Sequence, residues 1–555
     1  MVNSCGFFTG PSKTPGVMSS PKPIMLPAAT DWIKASSRPS LLLYAVTAIL
    51  LALLFYTSWS SSNHVRRMPP LINPPKMFDL TYSRSKMQSV TGTEDLMSDA
   101  RKRFGDKPYS IVTLGGPVMV LPAKFAEEIR NDARLSFTKS AEQDFHAHLP
   151  AFRPFGGDIT DRLAAMAKTH LTKLIAKTTI PLCDEAARTL EMKIGRSPER
   201  RLLVLDWQHL GLEELTLEIT SRMAARVTSG QDLCRNETWL RNTIQYTIHA
   251  AVAANKLRLF PAPLRYLAHL ALPECRAMRT ELATARALVT AVVDKRRRER
   301  LDAASTGRPM PCYEDAIEWG AEQFRDSPGP SAKDYDPAMF QLQTSVVGLH
   351  SSTDLLTQTL INILLHPDIV PPLRREIVDA VGPEGWSKPC LHKLQLMDGV
   401  MKETQRLKPL EFITMHRVAT SDVYLSDGTL IPKHAHTVVA NTTRLDPSIY
   451  ERPGDFDPFR WVRMRASDKQ KHQAPMVSAG INSLGFGYGL HVCPGRFFAT
   501  DLVKMALCHL MLKYDIELDQ DLNPKPYVPM GFFLGHDREV RIKIRKRAEE
   551  ISIDV

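Results

Sequence analysis

Cysteine is scarce in this 555-residue chain: eight residues, standing singly at Cys5, Cys183, Cys234, Cys275, Cys312, Cys390, Cys493 and Cys508. No C-x-x-C pair occurs, which argues against a zinc ribbon or a thioredoxin-like motif. The density is also far too low for a disulfide-stapled secreted scaffold. Long hydrophobic runs are equally few. Only Leu41–Tyr56 (LLLYAVTAILLALLFY) is apolar and uncharged over a membrane-scale length. With a mean hydropathy of −0.19, a multi-pass membrane protein is excluded. There is no internal repeat and no low-complexity linker after residue 77. Acid is slightly short, with 60 Asp and Glu against 71 Lys and Arg, a net charge of +11. The densest basic block, Lys295–Arg300 (KRRRER), ends a predicted helix, where cations suit the dipole, so it is a poor nucleic-acid site. What is present is 43% hydrophobic residues with scattered aromatics, which excludes a disordered chain.

The apolar run stays uncharged through Trp59, and roughly 19 residues at 1.5 Å rise reach about 28 Å, close to the thickness of a bilayer core. Forty residues precede it, too many for a signal peptide. Residues 39–60 are therefore predicted to be a single transmembrane anchor. Lys34 and Arg38 before it balance Arg66 and Arg67 after it, so charge leaves the orientation open. Residues 1–38, rich in Ser, Pro and Met, predict a disordered tail. Residues 61–76 carry Arg66, Arg67, Pro69, Pro70, Pro74 and Pro75 and predict a short stiff hinge. Residues 77–555 predict one folded body, mainly α with a small β portion.

Within that body, amphipathic patterns predict helices over 211–228, 278–300 and 370–380. Residues 339–365 are apolar on most faces and predict a long buried central helix, with a polar interruption from Gly348 to Asp354. Residues 110–121 predict a hairpin around Gly115 and Gly116. Residues 423–431 predict two short strands about Asp427–Gly428. Alternation at Val540, Ile542 and Ile544 predicts a C-terminal strand.

The most informative stretch is FGYGLHVCPGRFFA, Phe486 to Ala499. Pro494 followed by a helical pattern places Cys493 at a helix N-terminus, where unpaired N–H groups and the dipole favour a thiolate. Gly487, Gly489 and Gly495 let the backbone approach a flat ligand closely. Thiolate is one of the few axial ligands that proteins give to haem iron. The segment resembles the haem-binding loop of cytochromes P-450, FxxGxxxCxG, here Phe486, Gly489, Cys493 and Gly495. That family often has Arg two residues before the Cys; this chain has His491, which can donate to a haem propionate in a pH-sensitive way. Upstream, KETQRLKP places Glu403 and Arg406 at i and i+3. FDPFRW resembles the family segment that brings a further arginine, Arg460, onto that pair. Three motifs in this order imply the cytochrome P-450 fold over about residues 77–546, with the Glu403–Arg406–Arg460 triad holding the Cys loop.

On the central helix the resemblance sets Val347, Gly348, Leu349, His350 and Ser351 against the family's small residue, Gly, acid and Thr. Gly348 matches. Val347, His350 and Ser351 depart, yet His still titrates and Ser still carries a hydroxyl, so proton delivery to bound oxygen is implied for His350 and Ser351. Arg417 aligns with a propionate contact. For the second propionate contact Lys168, His170 and Lys173 all stay open. Substrate-contacting positions implied by the resemblance are Val346, Val347, Phe412, Ile413, Thr414, Met415, Phe532 and Phe533.

The resemblance implies haem b, with Cys493 bound to its iron, and insertion of one atom of O2 into a lipophilic small molecule. The wording of the motifs is most similar to filamentous-fungal members that act on secondary metabolites, terpenoid-like scaffolds among them. With no second Gly-rich fingerprint for nucleotide or flavin, NADPH would act through a separate NADPH-cytochrome P-450 reductase. The family's single-pass members sit in the endoplasmic reticulum membrane with the catalytic domain cytosolic. On that side the N-x-T matches at Asn236 and Asn441 would not be glycosylated. Two rival readings are a reductase-independent haem-thiolate enzyme that rearranges hydroperoxides and a non-catalytic haem-binding protein.

Overall fold

A run of β-branched and aromatic residues beside Gly115–Gly116 makes the first strands, β1 (Tyr109–Thr113) and β2 (Gly116–Leu121), an antiparallel pair as expected. The computed structural model describes residues 48, 66–76, 79, 82–172, 175–195, 207–325, 335–519 and 523–554. The predicted tail and, apart from Ala48, the predicted anchor lie outside these residues. Among the described residues no helix is long and apolar enough to cross a membrane.

The first two strands belong to a five-stranded sheet completed by β3 (Leu135–Ser136), β5 (Ile413–Ala419) and β8 (His436–Ala440), in the order β1-β2-β8-β5-β3. β2 and β8 run parallel; the other pairs are antiparallel. A second sheet joins β4 (Gln208–Gly211), β12 (Arg541–Lys546) and β9 (Tyr514–Leu518), all antiparallel. The turn at Asp427–Gly428 links β6 (Val423–Tyr424) to β7 (Leu430–Ile431), and β10 (Val528–Met530) pairs with β11 (Phe533–Gly535). Helices make up most of the rest.

The central helix spans Pro337–Leu365, 29 residues, capped by Asp336, whose carboxylate accepts from Ala338 and Met339. The expected polar interruption does not break it. Thr353 and Thr357 turn their hydroxyls back to carbonyls one turn earlier, at 2.9 and 2.8 Å. The same hydroxyls meet Thr220 and Thr216 of the Leu212–Thr228 helix, each at 2.6 Å. Polar residues in mid-helix are thus spent on a helix–helix contact. Downstream, Leu356, Leu360 and Ile361 share one core cluster with Met397, Val400 and Met401 of the Gln395–Leu407 helix. Leu502, Val503 and Ala506 of the Arg496–Lys513 helix join the same cluster. The three helices that carry the candidate site are therefore packed into a single interior.

The expected hinge is not free where it is described. Met68, Ile72 and Asn73 are buried against the body, and Leu71 bridges Ser110 of β1. Asn73 explains the docking: its amide donates to the carbonyls of Ser85 and Val112, each at 3.0 Å, and accepts from the Val112 N–H at 2.8 Å. Prolines that cannot continue a helix lay the chain along a strand edge instead. The described hinge residues that precede the expected boundary thus pack on the body. Asn73→Ala strands these backbone groups, so it should lower stability by about 1–3 kcal/mol. Thermal unfolding of the purified protein measures this, and an unchanged midpoint would mean that residues 66–76 do not hold to the body.

Candidate active site

The Cys493 loop is shaped by backbone bonds. The N–H of Gly487 donates to Leu484 (2.8 Å), that of Cys493 to Phe486 (2.8 Å) and that of Leu490 to Arg130 (3.0 Å). Gly489 sits at φ +76°, and a β-carbon there would lie 2.4 Å from the Arg130 carbonyl oxygen, so no other residue fits. The helix behind the loop begins at Arg496 with Gly495 as N-cap, so Pro494 lies just outside it and not at its first position. The expected donors stay in place, but the expected net preference for a thiolate is not met. The N–H groups of Gly495 and Arg496, with the Arg496 charge, act on the Cys493 sulfur to favour its anion, but burial outweighs them and pushes the thiol up. Such a sulfur, ringed by donors yet short of positive charge, is what a bound metal cation would complete.

Glu403, fully buried, accepts from Arg406 Nε and Nη2 (2.9 and 2.7 Å), Trp461 Nε1 (2.9 Å), the Asp457 N–H (3.1 Å) and Arg460 Nε (3.4 Å). The remaining guanidinium hydrogens bind carbonyls of Arg444, Pro453, Asp455 and Glu451. The expected triad is therefore assembled, and it pins residues 444–461. One residue before Glu403, sequence reading missed Lys402. Its buried ammonium donates to the carbonyls of Gln473, Pro475 and Ser478 (2.6, 2.7 and 3.2 Å), and burial pulls its pKa down to about 7. Arg496 reaches the same segment at Val477 (3.2 Å) while donating to the Cys493 carbonyl (2.8 Å). A continuous set of charged hydrogen bonds thus runs from the triad helix to the cysteine.

Arg417 lies on β5 beyond a bulge: the register with β8 shifts between Thr414 and Arg417, with Met415 at φ +52°. The bulge buries the guanidinium opposite Thr437 with no carboxylate partner; Nη1 donates to its neighbour's carbonyl and Nε has no partner. Burial pulls its pKa down to about 10. His491 shares the Phe137 ring with it: His491 lies 6.0 Å from that ring and Arg417 Cζ also 6.0 Å. Burial, then Arg417 and Lys168, bring His491 down to about 4, so it is neutral at neutral pH and the expected pH sensitivity moves to acid conditions. Of the three residues open for the second contact, Lys168 is near enough for its charge to act on His491. His170 instead stacks on Trp319 at 5.4 Å, and Lys173 lies outside the described residues. An orphaned buried guanidinium beside a lysine and a neutral imidazole calls for an anion, and the propionates of haem supply two.

The central helix carries an exposed feature of its own. Its residues are mostly buried, but Val347 is 55% exposed and Ser351, one turn on, is also uncovered. Between them a β-carbon at Gly348 would meet nothing within 4 Å. A strip Val347–Gly348–Ser351 is thus left bare on an otherwise interior helix. Ser351 donates back to the Val347 carbonyl at 3.2 Å, and His350 is turned toward a buried acid cluster. Of the expected substrate positions, Val347 is uncovered and Val346, Thr414 and Phe533 are half-buried. Phe412, Ile413 and Met415 are buried in protein packing, Ile413 with Phe532 in one cluster and Met415 in another. Phe532 is half-buried, as Phe533 is, and packs on the edge of the Ile413 cluster. Asp144, His416 and His436 also come within 4.8 Å of one another, but Arg258 (2.9 Å), Glu411 (2.8 Å) and Ser140 (2.9 Å) already engage them.

A buried cysteine sulfur met by helix N–H groups, a buried arginine without a carboxylate and a bare helix strip, on a mainly helical fold, are features that a haem-thiolate site would use. Comparison with known proteins agrees. The Cytochrome P450 family profile matches residues 162–543, and the chain belongs to that family. It is 36% identical over 488 residues to the cytochrome P450 monooxygenase ptmU of Penicillium ochrochloron, covering 87% of this chain and 93% of that protein. It is 38% identical over 463 residues to hepE of Aspergillus oryzae and 37% over 461 to TRI1 of Fusarium sporotrichioides, covering 82% of each partner in both cases. Both are also named cytochrome P450 monooxygenases. The retinoic acid-bound cyanobacterial CYP120A1 structure superposes with a TM-score of 0.62 at 17% identity, covering 86% of this chain and 99% of that one, which shows the shared fold. The chain is accordingly an oxidoreductase of the monooxygenase kind.

Haem fits the residues present: Cys493 would hold the iron, while Arg417 and His491 would hold propionates. Two outcomes follow. Glu403→Gln leaves two buried guanidinium groups under-compensated and should cost about 3–5 kcal/mol in thermal or denaturant unfolding. Arg417→Leu should act with opposite signs: it lowers the haem-to-protein ratio yet stabilises haem-depleted protein by about 1–3 kcal/mol, because it removes an unsatisfied buried donor. Destabilisation of both forms would contradict the propionate role.

Proposed function

We propose that this chain is a membrane-anchored monooxygenase of the endoplasmic reticulum, with its catalytic domain cytosolic. It inserts one oxygen atom of O2 into a lipophilic secondary-metabolite scaffold of terpenoid-like character, using electrons from NADPH passed by a separate flavoprotein reductase. The observation that carries the reading is the bare strip Val347–Gly348–Ser351. It joins an apolar wall, an opening beside the helix backbone and a hydroxyl within one turn. The named fungal relatives support the same class.

When bound, haem supplies the activation of dioxygen; a thiolate ligand donates electron density that favours O–O cleavage. The protein's part is separate. Cys493 is fixed by the Phe486 and Arg496 contacts and presents its sulfur from one side. Gly348 keeps the helix backbone clear, and Val347 offers a dry apolar surface to the substrate. Ser351 holds a hydroxyl at the end of that surface and passes protons toward the oxygen side. A hydroperoxide-rearranging enzyme needs no such proton supply, so the Ser351–His350 pair favours the monooxygenase over that rival.

Microsomes bearing the protein and a reductase, fed candidate scaffolds under isotope-labelled O2, should yield products carrying one labelled oxygen only when NADPH is present. Conversion of lipid hydroperoxides without NADPH would establish the rival. Ser351→Ala should keep NADPH consumption but release several-fold more peroxide per NADPH, in line with the ~10²-fold or larger effects of lost acid–base groups. Unchanged peroxide release would remove Ser351 from the proton route.

A further inference from the structure

Two imidazoles and two carboxylates that haem does not use gather on one face of the five-stranded sheet. The bulge in β5 puts the imidazoles there. Past it, Arg417 pairs with Thr437 and Val418 with His436. Continuing that register sets His416 diagonal to His436 on the same face. In the register before the bulge, His416 would stand opposite Thr437 and so on the other face. The two rings are 5.8 Å apart and tilted by 60°. Asp144, the last residue of the Phe137–Asp144 helix, and Glu411, just before β5, supply the carboxylates.

One ligand atom each from Asp144, His416 and His436 lie within 4.8 Å of one another. His436 Nε2 faces Asp144 Oδ2 at 3.9 Å, too far for a hydrogen bond. That gap is close to the roughly 3.3 Å edge of a tetrahedron drawn with metal–ligand bonds of about 2.0–2.1 Å. Glu411 Oε2 stands 2.8 Å from His416 Nε2, so a further oxygen lies beside that imidazole.

The neighbours of this group are ones that a metal ion keeps or displaces. Arg258 donates to Asp144 Oδ1 at 2.9 Å and leaves Oδ2 to the histidines, as an outer partner of a ligating carboxylate does. Ser140 Oγ lies 2.9 Å from His436 Nε2 and 3.3 Å from Asp144 Oδ2. Its one hydroxyl proton serves only one of them, and turning it away uncovers both. The four side chains are between 17% and 32% exposed, which gives an ion a way in. Burial brings His436 down to about 4, so at neutral pH it is the unprotonated imidazole that binds a cation. Burial pulls His416 down too, but the charge and hydrogen bond of Glu411 and the charge of Asp144 outweigh it and raise its pKa. That imidazole gives up a proton when an ion enters.

We propose that Asp144, His416 and His436, with Glu411 as fourth ligand, form a site for one divalent ion of the zinc type, distinct from the haem site, that ties the Phe137–Asp144 helix to β5 and β8. Two imidazoles argue against magnesium and calcium, which take oxygen ligands, and a group without thiolate argues against copper(I). The two carboxylates balance the charge of the ion. The same helix begins at Phe137, whose ring meets Arg417 and His491, so a bound ion steadies the helix that covers those two residues. The site does not depend on the monooxygenase reading.

The test is equilibrium dialysis of the haem-loaded, full-length protein against Zn2+, with bound zinc read by mass spectrometry, comparing wild type with His416→Gln and His436→Gln. Wild type should bind one ion per chain and unfold at a higher temperature with zinc than without. Each variant should weaken the site by more than the ~10–100-fold that loss of an outer partner costs. Zinc-edge X-ray absorption of the wild-type complex should show nitrogen and oxygen ligands at about 2.0–2.1 Å with imidazole scattering, and no sulfur at ~2.3 Å. Amide exchange in the Phe137–Asp144 helix should slow when zinc is added. A merely structural ion network would lower the thermal midpoint of the variants and leave their zinc affinity at the wild-type value, and that result would overturn the proposal. Failure of wild type to bind a single ion, or sulfur in the zinc shell, would do the same. Where a variant does not fold, the wild-type zinc-edge spectrum decides.

Discussion

A single buried carboxylate, Glu403, organises the region around the cysteine. It accepts from Arg406, Arg460, Trp461 and the backbone of Asp457 inside the core. A charge in that position is tolerable only because every lone pair is used and both guanidinium groups spend their other hydrogens on carbonyls. Segment 444–461 is irregular and has few ladder bonds of its own, so these contacts substitute for secondary structure. Lys402 repeats the device one residue earlier by gathering three carbonyls of residues 473–478, and Arg496 ties that segment to Cys493. The placement of the sulfur therefore depends on Lys402 and Glu403, far upstream, as well as on Arg496 beside it.

The opposite pole of the site is built by leaving charges without partners. Arg417 is aimed inward by a bulge whose cost includes a left-handed Met415, and it meets no carboxylate. Local strain and an unsatisfied donor at one place are expected where a ligand completes the bonding. On the central helix the same logic applies to apolar surface. Threonines consume the polar capacity of one face against the neighbouring helix, and the bare strip is confined to another.

Much of this was legible in the amino-acid order. Helix periodicity located the central helix, and Gly and Pro punctuation located the hairpin and the Cys493 loop, because those signals are local. The Glu403–Arg406–Arg460 group was legible only because KETQRLKP and FDPFRW resemble motifs of the family. Other features were not. Nothing in the order of residues brings Asp144 to His436, nearly three hundred positions apart. Lys168, His170 and Lys173 looked alike in the sequence, and only tertiary packing shows His170 stacked on Trp319. The bulge at Met415 carries no Gly or Pro signal. Apolar residues such as Phe412, Ile413 and Met415 look alike in the sequence whether they face a ligand or a core, and only the structure shows all three buried. The prolines of residues 69–75 read as a hinge because stiffness is local, whereas the docking through Asn73 is tertiary.

The central claim is that the Cys493 sulfur is the thiolate ligand of haem iron. Carbon monoxide added to the dithionite-reduced, haem-loaded protein tests it most directly. The long-wavelength Soret band of a thiolate-ligated carbonyl complex is predicted for the wild type and should be absent from Cys493→Ala with haem still bound. Its absence from fully loaded wild-type protein, or its persistence in Cys493→Ala, would contradict the account.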